Sequence, residues 1–335
     1  MKRPVRIAHF LRQPRQGAHS IERLHLDIRD ALDSEFEFII STCTRPSKGI
    51  LPRLIDMVLA RRVRADVYHV TGDVHFLTLL LPRKRTVLTI NDMVSLERLV
   101  GLKRWILWLI WYWLPVKISA KIVVISESTK KELLKYVSCD DRKIVVIHCP
   151  VSKEFEPSPL PALSSQPRIL QIGTSPNKNI FRVVESLSGI PCTLVIIGVL
   201  SDDHIEHLSR YGVRYENLVE LSRDDLRKQY ELSNVVVFAS TYEGFGLPII
   251  EAQAMGRPVI TSNLLSMPEV AGAGAIVVNP FDAGSIRRAL EEVLYGDGVA
   301  ERLVSLGLEN VKRFDLEFIG AAYSRMYLSL IHADS

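Results

Sequence analysis

Val235 to Ala239 is a run of five apolar residues, three of them valine. A strand with apolar side chains on both faces belongs in the interior of a parallel sheet. The chain then breaks into polar and glycine residues from Ser240 to Gly246. Pro248 suits the first position of a helix, and Gly256 suits its end. Strand, glycine loop, helix is the repeating unit of an α/β fold. The loop leaves the carboxyl end of a strand, where open α/β sheets bind ligands.

Two carboxylates frame the loop. Glu243 lies within it, and Glu251 is expected in the first turn of the helix, with seven residues between them. Gly244 and Gly246 let bare backbone approach a ligand. Amides at a helix start suit an anion, and a carboxylate can accept hydrogen bonds from vicinal sugar hydroxyls. A lone pair of glutamates in this setting is more simply a pair of helix-dipole partners. The setting here is longer: EGFGLPIIEAQAMGRPVI, then SMPEVAGAGAIVVNPFDAGSI from Ser266 to Ile286.

That string resembles the E-x7-E signature of family 4 glycosyltransferases, which are retaining and use nucleotide sugars. The resemblance implies a fold of two facing Rossmann-like domains (the glycosyltransferase B-type fold) with an interdomain cleft. It further implies that Glu251 holds the ribose of the donor nucleotide and Glu243 the transferred sugar. Backbone around Phe245, Gly246 and Leu247 would contact sugar and diphosphate. The co-substrate is a nucleoside diphosphate sugar, with no other cofactor and no metal expected.

Gly173-Thr174-Ser175-Pro176-Asn177-Lys178-Asn179, between a strand and a helix, is a plausible diphosphate cradle. It has neither the Walker A spacing nor the dinucleotide fingerprint, which speaks against a nicotinamide dehydrogenase. In the resembled family this loop clasps the diphosphate with an Arg and a Lys. Lys178 matches the Lys, whereas Thr174 stands where the Arg is common, and Arg182 is a substitute candidate. A second departure is Asn91-Asp92, where the family has His-Asp. Asn91 cannot titrate, which leaves it a role in positioning the sugar. Asp92 either binds the acceptor or caps the next helix. His19, Ser20 and Arg15, in the first strand-to-helix loop, are acceptor candidates by the same resemblance, with Ser20 equally a helix N-cap. His69 and His75, about a polar turn, are either acceptor contacts or satisfied structural histidines.

At 335 residues the chain can hold two domains. Glu156 to Pro161 has three prolines in five residues, a stiff connection. The expected division is an acceptor domain over 1–156, a linker over 157–163 and a nucleotide-sugar domain over 164–315. The resemblance implies that a last helix, 316–335, crosses back to the first. Residues 1 to 160 hold 27 Lys and Arg against 17 Asp and Glu, and the remainder 15 against 21. The first half is thus suited to an anionic partner. No nucleic-acid motif accompanies the charge, so no nucleic acid is expected. The Asp pairs at 140–141, 202–203 and 224–225 lack D-x-D spacing and read as caps.

All four tryptophans, Trp105, Trp108, Trp111 and Trp113, fall within nine residues of KRWILWLIWYWLPVK. The run is short of the ~18 apolar residues a spanning helix needs. Indoles flanked by lysine and arginine suit the headgroup region of an anionic membrane, where a lipid-linked acceptor would wait. A buried helix or a subunit face is the competing reading. Cys43, Cys139, Cys149 and Cys192 show no metal or disulfide spacing and suit a reducing cytoplasm. No secretory signal is evident at the amino terminus.

The expected function is hexose transfer from a nucleoside diphosphate sugar to a glycan or lipid-linked acceptor, peripheral on the cytoplasmic membrane face. A non-catalytic nucleotide-sugar-binding or membrane scaffold of the same fold is the alternative, as is an epimerase or phosphorylase.

Overall fold

The computed structural model describes residues 3–13, 20–32, 36–44 and 49–332, without the side chains of 20–23. The chain forms two compact units. One comprises the described residues up to Pro150 together with the helix Leu316–His332, and the other is Val151–Asp315.

The first unit contains β1 (Val5–Leu11), β2 (Phe36–Thr42), β3 (Val67–Val70), β4 (Thr86–Ile90), β5 (Lys121–Val124) and β6 (Ile144–Val146). All pairings are parallel, in the order β2-β1-β3-β4-β5-β6. The central strands β3 and β4 are buried at every position, whereas the edge strand β2 alternates with solvent. On one face lies a core that includes Phe10, Val70, Phe76, Leu88 and Trp111. Elsewhere on the sheet, Tyr327 of the carboxyl-terminal helix reaches His9 of β1 (3.0 Å) and His69 of β3 (2.7 Å).

The second unit contains β7 (Arg168–Ile172), β8 (Thr193–Ile197), β9 (Tyr215–Leu218), β10 (Val235–Phe238), β11 (Val259–Ser262) and β12 (Ala275–Val278). Its order, β12-β11-β10-β7-β8-β9, is again fully parallel. Successive strands run outward one way from β7 and the other way from β10. The order therefore reverses between these two neighbours, and their carboxyl ends open a crevice.

The proline-rich stretch is not a free linker. Arg257, almost wholly buried, donates to the carbonyls of Ser158 and Pro159 and to the Ser158 hydroxyl. Ser158 N donates to Met255 O, and Asn234 donates to Pro161 O (3.1 Å). These contacts bind the segment to the second unit and set the division at Pro150/Val151, ahead of the prolines. The Asp pairs also need refining. Asp140 does cap its turn, accepting from Arg142 N (3.0 Å), but the caps of the helices Asp202–Arg210 and Arg223–Glu231 are Ser201 and Ser222. The aspartates that follow those serines occupy the first helical turn, facing its positive end.

The tryptophan segment is one helix, Gly101–Ile118, with a wide π stretch over Trp108–Trp113 ahead of Pro115. Pro115 has no N–H for the carbonyl four residues back, that of Trp111. That oxygen accepts from His75 Nδ1 instead, at 2.7 Å. Trp111 is 7% exposed, its indole donates to Asp73 (2.9 Å), and its ring lies under the Arg53 guanidinium at 4.6 Å. Trp108 donates to Tyr136 O (2.9 Å), and both it and Trp113 pack against the core. Membrane contact is therefore wrong for Trp111, whose ring and indole N–H are enclosed by protein, while Trp108 and Trp113 are partly buried against the same core. Trp105 alone of the four is exposed, at 54%.

Candidate active site

The loops that leave β7 and β10 flank the switch point of the second sheet, and two expected site residues meet there. Lys178, in the short turn Pro176–Lys178, places Nζ 2.6 Å from Glu243 Oε1. Their side chains are 18% and 16% exposed, enclosed yet open to a solute. Asn177 donates to the same Glu243 oxygen (3.1 Å) and to Tyr242 O (2.9 Å), and Thr241 N donates to Asn177 O (2.8 Å). The two loops are thus stitched together. The ammonium also sits 4.6 Å from the Phe238 ring centroid, at the end of β10.

Gly173 makes room for this lysine. A Cβ there would lie 2.9 Å from Lys178 Cε, and the backbone is left-handed (φ 87°). Its amide is spent in the sheet on Ile197 O (2.8 Å), so its part in the cradle is clearance rather than an N–H. Thr174 packs where a Cβ on Gly198 would strike it, at 2.9 Å. Arg182 turns to Asn179 Oδ1 (3.1 Å) and the Phe281 ring (5.4 Å). Asn179 itself is left-handed (φ 61°) and ties the loop to Ala239 O and Pro280 O.

Glu243 and Phe245 are fixed by Ser266, whose hydroxyl lies 2.9 Å from both of their carbonyl oxygens. Phe245 is buried edge-on against Phe314, at 5.6 Å. Gly246, at φ 108°, turns the chain into the helix Leu247–Ala254. Glu251 falls in the second turn of that helix, not the first, because the helix already begins at Leu247. This removes it from the helix dipole's reach and leaves a different partner: Tyr230 donates to Glu251 Oε2 at 2.7 Å. Burial raises the Glu251 carboxyl, and the Tyr230 hydrogen bond and the Arg223 charge act against that rise. Sequence reasoning missed Asn177, Tyr230 and Ser266. Ser266 opens the stretch Ser266 to Ile286 and Asn177 lies in the loop Gly173 to Asn179, but Tyr230 carries no signal in the sequence.

The remaining expected residues belong to the first unit. Asn91 follows β4, half-buried, and its carbonyl accepts from Thr129 (3.4 Å). Asp92 accepts from Val94 N (3.0 Å), starting the short helix Val94–Glu97. His69 is buried between Tyr327 and Thr89, at 2.7 Å from each. Ser20 begins the helix Ser20–Ala31. Its side chain, and His19 and Arg15 altogether, lie outside the described residues. Among the described residues, no group of three or more His, Cys, Asp or Glu could hold a metal ion. Nor is any helix long and apolar enough to cross a membrane.

Comparisons with known proteins bear on this geometry. The family model described as Glycosyltransferase Family 4 matches residues 31–155, and Glycosyl transferases group 1 matches residues 152–307. The chain is 31% identical over 221 residues to O-antigen chain mannosyltransferase B of Escherichia coli, covering 59% of this chain and 58% of that protein. It is 29% identical over 217 residues to the serotype-specific mannosyltransferase WbdA of Escherichia coli, covering 58% of this chain and 27% of WbdA. The chain thus spans little more than half of the first relative's length and about a quarter of the second's. Among solved structures, Anabaena Alr3699/HepE in complex with UDP and glucose superposes with a TM-score of 0.79 at 14% identity. That match covers 97% of this chain and all of that one, a likeness of fold.

Proposed function

This chain belongs to glycosyltransferase family 4, and we propose that it transfers a hexose from a nucleoside diphosphate sugar to a hydroxyl of a lipid-linked or polysaccharide precursor. The observation that carries this reading is the pairing of Lys178 with Glu243 at the switch point of the second sheet, with Glu251 eight residues on. An ammonium for the diphosphate and two carboxylates for sugar and ribose are the groups the reaction calls for.

In the transfer, the bond between the anomeric carbon and the β-phosphate oxygen breaks as the acceptor oxygen bonds to that carbon. The centre passes through an oxocarbenium-like state, and negative charge develops on the leaving phosphate. Lys178 stabilises that charge. Its present partner is Glu243, so an entering donor exchanges one contact for two: Lys178 takes phosphate, and Glu243 accepts from sugar hydroxyls. The acceptor proton passes to the leaving phosphate oxygen on the same face, which retains the anomeric configuration. No metal ion is assigned, because Lys178 supplies the cation; chelation leaves the rate unchanged on this account, and a rate restored by magnesium after chelation overturns that part.

The names of the relatives make a mannosyl donor the first to test, and the nucleotide-bound neighbour makes UDP-glucose the second. Release of nucleoside diphosphate from either, accelerated by acceptor and abolished in Glu243→Gln, supports the reading. Equal release by the variant overturns it.

Peripheral contact with an anionic membrane is part of the proposal. The helix Ile50–Arg62 turns its one carboxylate inward, where Asp56 accepts from Thr44 N (3.1 Å) and Oγ1 (2.9 Å). Its exposed face carries Ile50 (77% exposed), Leu51, Leu54 and Val58 with Arg61 and Arg62. Aliphatic side chains beside exposed arginines suit a lipid headgroup surface. Trp105, with exposed Val100, Leu102 and Ile106 beside Lys103 and Arg104, adds a second such patch. The four cysteines are free thiols, which supports the cytoplasmic face.

A further inference from the structure

Glu251 does not stand alone. Tyr230, on the helix Arg223–Glu231, is fully buried, and its hydroxyl donates to Oε2 at 2.7 Å. Among the described residues no donor reaches Oε1. The tyrosine is itself held. Phe155 meets it edge-on at 5.7 Å, and the Arg223 guanidinium covers Phe155 at 5.4 Å while pairing with Glu154. Three segments far apart in sequence thus converge behind one carboxylate: 154–155, 223–230 and 251.

A carboxylate offers two oxygens to a ligand, and a half-buried one must be both oriented and kept ionised to accept hydrogen bonds well. A phenol does both when it donates to one oxygen and leaves the other open. Burial pushes the Tyr230 hydroxyl upward, so it stays protonated and remains a donor throughout the neutral range. We propose that Tyr230 is a positioning residue for nucleoside recognition: its hydroxyl holds Oε2 of Glu251 and leaves Oε1 to accept from the ribose of the donor. This rests on the donor-site reading of Glu251. It implies that ribose recognition depends on an aromatic residue on a neighbouring helix, outside the signature loop.

The test uses UDP and GDP, titrated calorimetrically into the whole chain, and inorganic pyrophosphate as a competitor that lacks ribose. Tyr230→Phe keeps the ring against Phe155 and deletes only the donor. It weakens the better-bound nucleotide about tenfold, leaves pyrophosphate competition unchanged, and raises KM for the nucleotide sugar more than it lowers kcat. In a Glu251→Gln background the same change costs nothing further. If Tyr230→Phe fails to fold, Phe155→Leu, which loosens the tyrosine but keeps its hydroxyl, carries the test. It predicts a loss of about threefold, also absent in the Glu251→Gln background. Unchanged nucleotide affinity in a folded Tyr230→Phe protein, equal weakening of pyrophosphate, or full additivity with Glu251→Gln overturns the inference. Glu251→Gln alone leaving UDP and GDP affinity intact overturns the underlying donor-site reading instead, so the two failures are distinguishable.

Discussion

Lys178 and Glu243 are 65 residues apart and meet because each lies in a loop that follows one of the two strands at the sheet reversal. Removing the ammonium takes away the one cation that the account aims at the leaving phosphate. Lys178→Ala should lower kcat for sugar transfer by about 10²–10³ without unfolding the chain, measured as nucleoside diphosphate release. A wild-type kcat would remove Lys178 from the chemistry. Gly173 supplies a second test. An added methyl there meets the lysine stem and must adopt a left-handed backbone, costing about 1–2 kcal/mol. Gly173→Ala should therefore lose activity together with modest thermal stability, and full activity in that variant would show that Lys178 tolerates displacement. Not every group here was legible in the sequence. Lys178, Glu243 and Glu251 stand out because the loop chemistry is local. Tyr230 does not, because its partner lies 21 residues on, on another helix, and a buried tyrosine looks the same whether or not its hydroxyl is used.

The strands were the most legible elements, since a buried parallel strand is written as an uninterrupted apolar run. Two helices were not. Ile50–Arg62 turns its aliphatic side chains outward and its aspartate inward, the reverse of an ordinary surface helix. Val299–Val311 starts at Gly298 with no capping side chain and carries Gly307 in its interior, where the glycine makes room for Gln253. The proline segment misled for a related reason: the arginine that straps it down is about a hundred residues away. The outward-facing helix makes a prediction of its own. Sedimentation with phosphatidylglycerol vesicles should be lost when Leu51, Leu54 and Val58 are all replaced by serine, and weakened by salt as its arginines are screened. Vesicle binding that survives the triple replacement would exclude this face. Trp111→Ser should instead unfold the first unit, because that indole is core.

For the molecule as a whole, the first unit carries a polar cluster that sets its acid sensitivity. His9, His25 and His69 are fully buried with Tyr327 and Thr89 beside them and Arg29 at the edge. Burial lowers all three histidines, to about 3 for His25, and the neighbouring histidines and Arg29 deepen the effect. A base whose folded value lies below its unfolded 6.5 is fully stabilising above that value. As pH falls below it the unfolded chain takes up protons first, and stability is lost. Melting temperature should therefore drop steadily between pH 7 and pH 5, a window where ordinary carboxylates do not yet titrate. A flat profile there would contradict the burial of these rings. Tyr327→Phe, which strips a partner from both His9 and His69, should cost about 1–3 kcal/mol. The division into two parallel-sheet units was readable from the sequence, but its boundary and this cluster were not. Both depend on contacts between residues distant along the chain. The central claim concerns the second unit, whose switch-point loops are held to bind a nucleoside diphosphate sugar. The most direct measurement is calorimetric titration of the wild-type chain and of Glu251→Ala with GDP-mannose and with UDP-glucose. The account predicts saturable binding of at least one donor, weakened about a hundredfold by the substitution. Equal affinity in the two proteins, or no binding of either donor to the wild type, would contradict it.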